Sequence, residues 1–457
     1  MKFIARVKGL MSGLDPVMTV ASKSTVKDYK NAKFVTIHAS EEGVTASADG
    51  GRISMSNTLD ALNQSELAYN CIEKGSITVR ASDIKRILQS FDENDEMIFE
   101  VKTANAYSSN NVEEKSQSED NISSTDEEEQ LTPDQYAMLD SGKEVVCSLV
   151  SDNDEFQTMP CSTAIISIPE VDNNKKGINI RRDVFVSSAS RISFAHGFQE
   201  FRPEYLYWVM RVEKEHVRFA AGSGGRFAVL DTYGEGNSLT DASKKIDILI
   251  PNHITAAMID VFGNIDNDYI NIYSGEKQIV LRCGSLVSVI SQIDPGVKWP
   301  NENDILNRSH SVKITTKIGN WLNAIKGISA TYSDDIKKQR QIHTASITLD
   351  TKSKMLHAKS NDQLKSHRKI PINDCIDNGS GENMTLRCVS RYLTEAIKNG
   401  EDEEYIQMEI ENDTRPIVIR YYSSDKISKP EECRKVNESL GITEQYTIFF
   451  APRTKDK

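Results

Sequence analysis

The sequence predicts an α+β fold built from three similar units, and two observations carry that expectation. One is a pattern that recurs three times: an alternating strand, an amphipathic helix, an acidic turn and a second strand. The other is a further amphipathic helix ahead of the second and third copies, followed each time by β-rich sequence, which gives two helices per unit. Repetition of this kind outweighs local propensity, because a supersecondary unit too small to bury its own apolar face is stabilised by packing on copies of itself.

The first copy, GSITVRASDIKRILQSFDENDEMIFEV, occupies 75–101, with Ser82 as the expected helix cap. The second, KKIDILIPNHITAAMIDVFGNIDNDYINIYSGEKQIVLR, occupies 244–282, with Asn252 capping after Pro251. The third, ENMTLRCVSRYLTEAIKNGEDEEYIQMEIENDTRPIVIR, occupies 382–420, with Ser390 capping and Gly400 ending the helix. In each copy the strand alternates at period two and the helix places apolar residues at i, i+3 and i+4. The additional helices are IRRDVFVSSASRISFAH at 180–196 and TTKIGNWLNAIKGISATY at 315–332. A weaker equivalent lies between about Leu10 and Lys23, where Pro16 is expected to break the early part.

The spacing from Ser82 to Asn252 exceeds that from Asn252 to Ser390, so the first unit carries extra chain. The surplus is a Ser, Asn, Glu and Asp-rich stretch at about 104–141, which reads as a solvated acidic loop with too few apolar residues to pack. Domain boundaries are therefore expected at 1–173, with that insertion, 174–308 and 309–457.

Composition narrows the function. A chain of 457 residues, at roughly 150 residues per domain, fits about three domains. With 55 Lys and Arg against 67 Asp and Glu the net charge is -12, which argues against a surface coated in positive charge for gripping nucleic acid. No apolar run approaches the roughly 18 residues of a membrane span, and the first residues lack the apolar core of a signal peptide, so the expected address is the cytoplasm, without membrane association. Seven scattered cysteines form no disulfide framework or zinc spacing and read as reduced, mostly buried thiols.

Catalytic motifs are missing. There is no H-E-x-x-H, G-x-S-x-G or Walker-type phosphate loop, and no histidine pair at helical ligand spacing. No enzyme activity, cofactor or metal is expected. The glycine-rich loop AAGSGGRFAVLD at 220–231 lies between two alternating strands, so it reads as a hairpin and not as a phosphate cradle at a helix N-terminus.

The stretch FRPEYLYWVMRVEKEHVRFAAGSGGRFAVLD at 201–231 resembles the middle domain of the bacterial β sliding clamp, the processivity subunit of DNA polymerase III. Family members carry there a hairpin reading Ala-Thr-Asp-Gly-His-Arg-Leu-Ala; this chain keeps Gly224, Arg226 and Ala228, has Phe227 for the leucine, and departs at Gly222, Ser223 and Gly225. Similarity extends to KFVTIHASEEGVTASADGG and GSITVRASDIKRIL in the first third, IDPGVKWPNENDIL at 293–306, MTLRCVSRYLTEAI in the last third and the tail YTIFFAPRT, which is similar to the family's Met-Pro-x-Arg ending.

The resemblance implies a ring-forming homodimer of three similar clamp domains per chain, with two helices of each domain on the lumen and antiparallel sheets outside. Its partners would be encircled double-stranded DNA, read without sequence specificity, a replicative DNA polymerase and a clamp loader. An acidic protein suits that role, since topology and not charge holds it on DNA, and only modest positive potential is needed in the hole. Candidate lumen charges are Lys85, Arg86, Arg181, Arg182, Arg191, Lys317, Lys326, Arg391 and Lys398. The resemblance also implies a pocket for short apolar peptides of polymerases and repair factors, carried over to Leu206, Gly224, Arg226, Phe227, Pro300, Ile305, Phe450, Ala451, Pro452 and Arg453. Two other readings stay open at this point: a clamp-like peptide-binding scaffold without ring closure, and a nucleotide-binding enzyme using the loop from Gly222 to Arg226. The divergence and the acidic insertion fit a phage-encoded or an unusual bacterial clamp.

Overall fold

A computed structural model describes the chain apart from residues 23–28, 30, 62–66, 104–144, 152–155, 170, 172–176, 198–201, 214–215, 235–245, 276–277, 292–296, 308–309, 331–342, 362–364, 378–383, 401–402, 423–434, 438–441 and 451–457. The structure is α+β, as expected. Among the described residues, six helices of eight or more residues recur at regular places: α1 (Val7–Ser22), α2 (Ala81–Leu88), α3 (Arg182–Ile192), α4 (Thr255–Gly263), α5 (Ile318–Ser329) and α6 (Ser390–Lys398). Each follows a strand and precedes three principal strands, so a strand–helix–three-strand repeat occurs six times. The sequence shows the repeat at half that frequency, as pairs.

The chain divides into two compact units, 1–182 with 256–295, and 183–255 with 296–457. In the first, Lys2–Arg6 lies in a five-stranded antiparallel sheet, and Ile53–Asp60 pairs with Leu286–Ser291 to fuse two four-stranded halves into an eight-stranded sheet. In the second, Arg226–Tyr233 pairs with Ile442–Phe450 inside a ten-stranded sheet, beside a separate four-stranded sheet. Core side chains follow strand alternation: Val35, Ile37 and Ala39 are buried in one unit, and Trp208, Phe219 and Ile314 in the other.

The helices start without the caps that the sequence suggests. The N-cap of α2 is Arg80 and Ser82 is its second residue, while Ser390 is the first residue of α6, whose N-cap is Val389. Asn252 begins a 3₁₀ turn and is buried, with Nδ2 donating to the carbonyls of Gly197 at 2.8 Å and Tyr205 at 2.7 Å. The physical reason lies in the ladders. The first amide of α1 donates to Asp95 O at 3.0 Å, that of α2 to Lys33 O at 2.8 Å, and that of α3 to Asp268 O at 2.8 Å. Likewise the first amides of α5 and α6 donate to Glu404 O at 3.0 Å and His343 O at 2.9 Å. In each case the donor continues the antiparallel ladder of the strand before it, so an otherwise orphaned amide is satisfied by the sheet.

Pro16 does not break α1, which runs through it. Asn57 Nδ2 donates to Gly13 O at 2.9 Å, next to the point where the proline lacks a donor. Gly13 itself lies so close to Leu59 that a Cβ would collide with that side chain, which lets α1 settle onto Ile53–Asp60.

The acidic stretch at 104–141 lies outside the described residues, but its flanks are informative. Glu96–Thr103 and Val145–Ser151 are antiparallel neighbours with Thr103 opposite Val145, so a short turn can join them. Replacing 104–141 by a brief Gly/Ser connection is therefore expected to leave the thermal unfolding midpoint nearly unchanged in a calorimetric scan; a large fall would show that the stretch packs.

Candidate functional site

The carried-over pocket residues gather in the second unit around a three-stranded meander. Tyr207–Val212, His216–Ser223 and Arg226–Tyr233 are antiparallel neighbours, and Gly224 and Gly225 form the turn between Ser223 and Arg226. The glycine loop is thus a hairpin turn within a sheet, not the start of a helix. A Cβ at Gly225 would lie 2.7 Å from the ring of Tyr392 on α6, so the turn is pressed against that helix. Gly222 faces Phe227 across the ladder, and a Cβ there would come within 2.5 Å of the phenyl ring, which fills the space that the glycine leaves.

Alternation splits the pocket residues between two faces of this sheet. On the face opposite Trp208, Phe227 is 7% exposed and packs with Tyr205, Val209, Ala220, Val229, Val418 and Phe449, with Leu249, Trp299 and Leu306 against the cluster. Its ring stacks on Phe449 at 4.9 Å and meets Tyr205 and Trp299 edge-on at 5.4 and 5.8 Å. Leu206 ends the 3₁₀ turn Pro203–Leu206 and is exposed, and Pro300 is half-buried beside Trp299 in sequence. On the other face, Arg226 is ion-paired with Glu395 of α6, with its guanidinium 5.0 Å from the Tyr392 ring and 5.9 Å from the Phe194 ring. Ile305 lies in the short helical turn Asn303–Leu306, and the backbone of Phe450 pairs with Arg226. Ala451, Pro452 and Arg453 lie outside the described residues.

What holds the segment 299–306 over the sheet is a network of buried charge. Arg211 grips Asp247 through two bonds of 2.9 and 3.1 Å and reaches Glu302 Oε1 at 2.5 Å. Arg218 grips Asp231 at 2.6 and 2.9 Å, donates to Asn303 Oδ1 at 2.8 Å and lies 3.3 Å from Glu302. Arg420 donates to Leu306 O at 3.1 Å. Burial opposes the charged form of Arg218, but its bonds to Asp231 and the charge of Glu302 outweigh that and raise its pKa, so the guanidinium stays charged. None of these residues stands out in the sequence as functional. A signal was present in single charges set within otherwise apolar strands, such as Arg211 in Tyr207–Val212.

His196 completes the Arg226 side. Burial, and secondarily the Arg226 charge, push its pKa down to about 3, so it is neutral at pH 7. Unfolding frees it to bind a proton near its ordinary 6.5, so this contribution to stability is complete above about pH 6.5 and declines as pH falls toward 3. Stability is expected to drop between about pH 6.5 and 5, and His196→Gln to flatten that slope in denaturant titrations at each pH. An unaltered slope would show that other groups set it.

The nine candidate lumen cations fare unequally. Arg86, Lys317, Lys326, Arg391 and Lys398 are exposed on or beside their helices. Lys85 bridges α2 to Asp15 of α1 at 3.1 Å, and Arg181 is half-buried at the end of Ile178–Arg181. Arg182 instead donates to the carbonyls of Phe262, Gly263 and Ile265 at 3.4, 3.2 and 2.8 Å, closing the C-terminal end of α4. Arg191 is committed to Glu444 at 2.8 Å and lies 4.6 Å over the Tyr446 ring. Its role in the structure is to tie α3 to Ile442–Phe450.

Among the described residues no group of His, Cys, Asp and Glu is placed to hold a metal, and no helix is long and apolar enough to cross a membrane. Six cysteines are described and none is in a disulfide, four of them being buried; burial raises the Cys161 and Cys283 thiols to about 11.

This arrangement of repeated helices and fused sheets is the sliding-clamp fold. The chain is similar over its whole length to a DNA polymerase sliding clamp from Bacillus subtilis, at 15% identity and a TM-score of 0.73, with 100% of each chain covered. The beta chain of DNA polymerase III from Streptococcus pneumoniae matches at 15% identity and 0.72, over 99% of this chain and 100% of that one. The beta subunit from Pseudomonas aeruginosa matches at 14% and 0.70, over the same shares. No protein-family model matches the chain, and no curated protein matches it by sequence.

Proposed function

We propose that the chain is a DNA sliding clamp: a non-enzymatic, homodimeric ring of the cytoplasm that encircles duplex DNA and tethers a replicative polymerase, placed on DNA by a clamp loader. In this reading the six repeats pair into domains at 1–173, 174–308 and 309–457, and the exposed helix cations face the DNA.

The observation that carries the ring is the fate of the third principal strand in each repeat. Ile53–Asp60 pairs with Leu286–Ser291, and Arg226–Tyr233 with Ile442–Phe450. The remaining two, Phe156–Cys161 and His367–Pro371, each have one neighbour and one unpaired edge among the described residues. An open edge is a template for another strand, and the rule followed by the other four supplies the partner. Phe156–Cys161 of one copy would pair with 367–371 of the next, and two copies would close without a free edge. Charge agrees, since His367, Arg368 and Lys369 would meet an edge preceded in sequence by Asp152, Asp154 and Glu155. The cluster around Phe227 would serve as the client pocket, with apolar anchors entering beside Leu206 and Trp299.

The test is topological. Loaded onto nicked circular DNA, the protein is expected to persist through dilution into high salt and to be lost quickly once the circle is cut. Equal loss from circular and linear DNA would rule out encirclement, and a monomeric mass in solution would favour a peptide-binding scaffold.

A further inference from the structure

The three tryptophans of this chain divide sharply. Trp208 and Trp321 are fully buried, and their indole N–H groups donate to Thr255 Oγ1 at 2.9 Å and Thr316 Oγ1 at 2.7 Å. Trp299 is half-buried, on irregular chain beside the Phe227 cluster, and its Nε1 is shielded from solvent with no hydrogen-bond partner among the described residues. An orphaned donor of this kind is costly, and the sequence elsewhere provides a threonine for each indole. The Trp299 ring is set edge-on against Tyr205 at 6.5 Å and Phe227 at 5.8 Å. Three residues further on, Glu302 is locked by Arg211 and Arg218. The structure therefore places a hydrogen-bond donor against an apolar cluster and leaves it without a partner among the described residues.

We propose that Trp299 is a specificity-determining residue of the client site: a small turn of its ring presents the indole N–H to an amide or carbonyl oxygen of a bound peptide. The inference rests on the reading of the Phe227 cluster as a peptide site. It defines the ligand class as a segment with apolar anchors that carries a hydrogen-bond acceptor beside them, from a Gln or Asn side chain or from main chain not engaged in a helix. A peptide with equal apolar area but no such acceptor gains contact and leaves the donor orphaned, which is how a buried polar group rejects a ligand.

The experiment titrates fluorescent peptides against the full-length protein. One bears a Gln-Leu-x-Leu-Phe core; the other has the Gln replaced by Leu. Wild type is expected to prefer the Gln peptide by about five- to tenfold, the weight of one hydrogen bond and a relieved orphan donor. Trp299→Phe, which keeps an aromatic ring and removes the N–H, is expected to erase that preference. A second readout needs no variant: Trp208 and Trp321 are sealed, so acrylamide quenching of protein fluorescence reports on Trp299 and is expected to fall when the Gln peptide binds. If the peptides bind, and Phe227→Leu weakens them, but Trp299→Phe retains the preference or quenching does not change, the role of Trp299 is overturned while the site stands. If neither peptide binds, the site reading itself fails and the inference fails with it.

Discussion

Replacing Glu302 by Ala is expected to lower the unfolding free energy by about 3 kcal/mol, read as a shift in the denaturant midpoint of the unit that contains it. The residue is fully buried, and its Oε1 receives bonds from both Arg211 and Arg218. Deleting the carboxylate leaves two guanidinium groups close together in a shielded site with one Asp apiece. The penalty comes from uncompensated charge more than from lost attraction. Glu302→Gln keeps an acceptor oxygen at nearly the same place and is expected to cost less, about 1–2 kcal/mol. The ordering of the two variants is the discriminating result: equal losses would mean that shape, not charge, holds 299–306 on the sheet. Because that segment carries Trp299 and Pro300, Glu302→Ala should also weaken peptide binding although Glu302 is sealed from any ligand.

The fold was legible where burial imposes a period and hidden where backbone does the work. The helices α2, α4 and α6 followed from amphipathic spacing beside acidic turns. Their counterparts α1, α3 and α5 belong to the same repeat but lack that turn, so the sequence shows three units where the backbone shows six repeats. Ser82, Asn252 and Ser390 drew attention as caps because side-chain capping is the common solution. At α2 and α6 ladder carbonyls accept from the first amides, and no sequence signal marks that. Phe227 and Arg226 enter the candidate site by resemblance alone, and adjacency in sequence puts them on opposite faces of the sheet. Arg182 and Arg191 illustrate the converse. A basic residue on a helix looks available for DNA until the carbonyls of Phe262, Gly263 and Ile265, or Glu444, are found around it.

Truncating Phe227 to Ala is expected to destabilise the chain by about 3–4 kcal/mol, as well as to impair peptide binding. The family resemblance implies a peptide-binding role for Phe227. The structure places the ring within the apolar cluster, stacked on Phe449 at 4.9 Å and flanked by Tyr205 and Trp299. Removing it opens a cavity under Trp299 and uncovers Gly222, against which the phenyl ring lies. A loss of affinity in Phe227→Ala would thus mix a damaged core with a missing contact. Phe227→Leu separates the two, and leucine is the residue found in the bacterial β-clamp hairpin that this one resembles. It retains most of the apolar volume while removing the aromatic contacts, which are worth about 0.5–1.5 kcal/mol beyond burial. The Leu variant is therefore expected to lose only about 0.5–1.5 kcal/mol of unfolding free energy, well short of the loss in the Ala variant. Its affinity for the Gln-Leu-x-Leu-Phe peptide is expected to fall by roughly three- to tenfold. Retention on circular DNA should be unchanged in the Leu variant, since the ring reading rests on the edges of Phe156–Cys161 and His367–Pro371 and not on this cluster. Unchanged affinity in a folded Phe227→Leu protein would show that ligands engage another surface and that Phe227 serves the core alone.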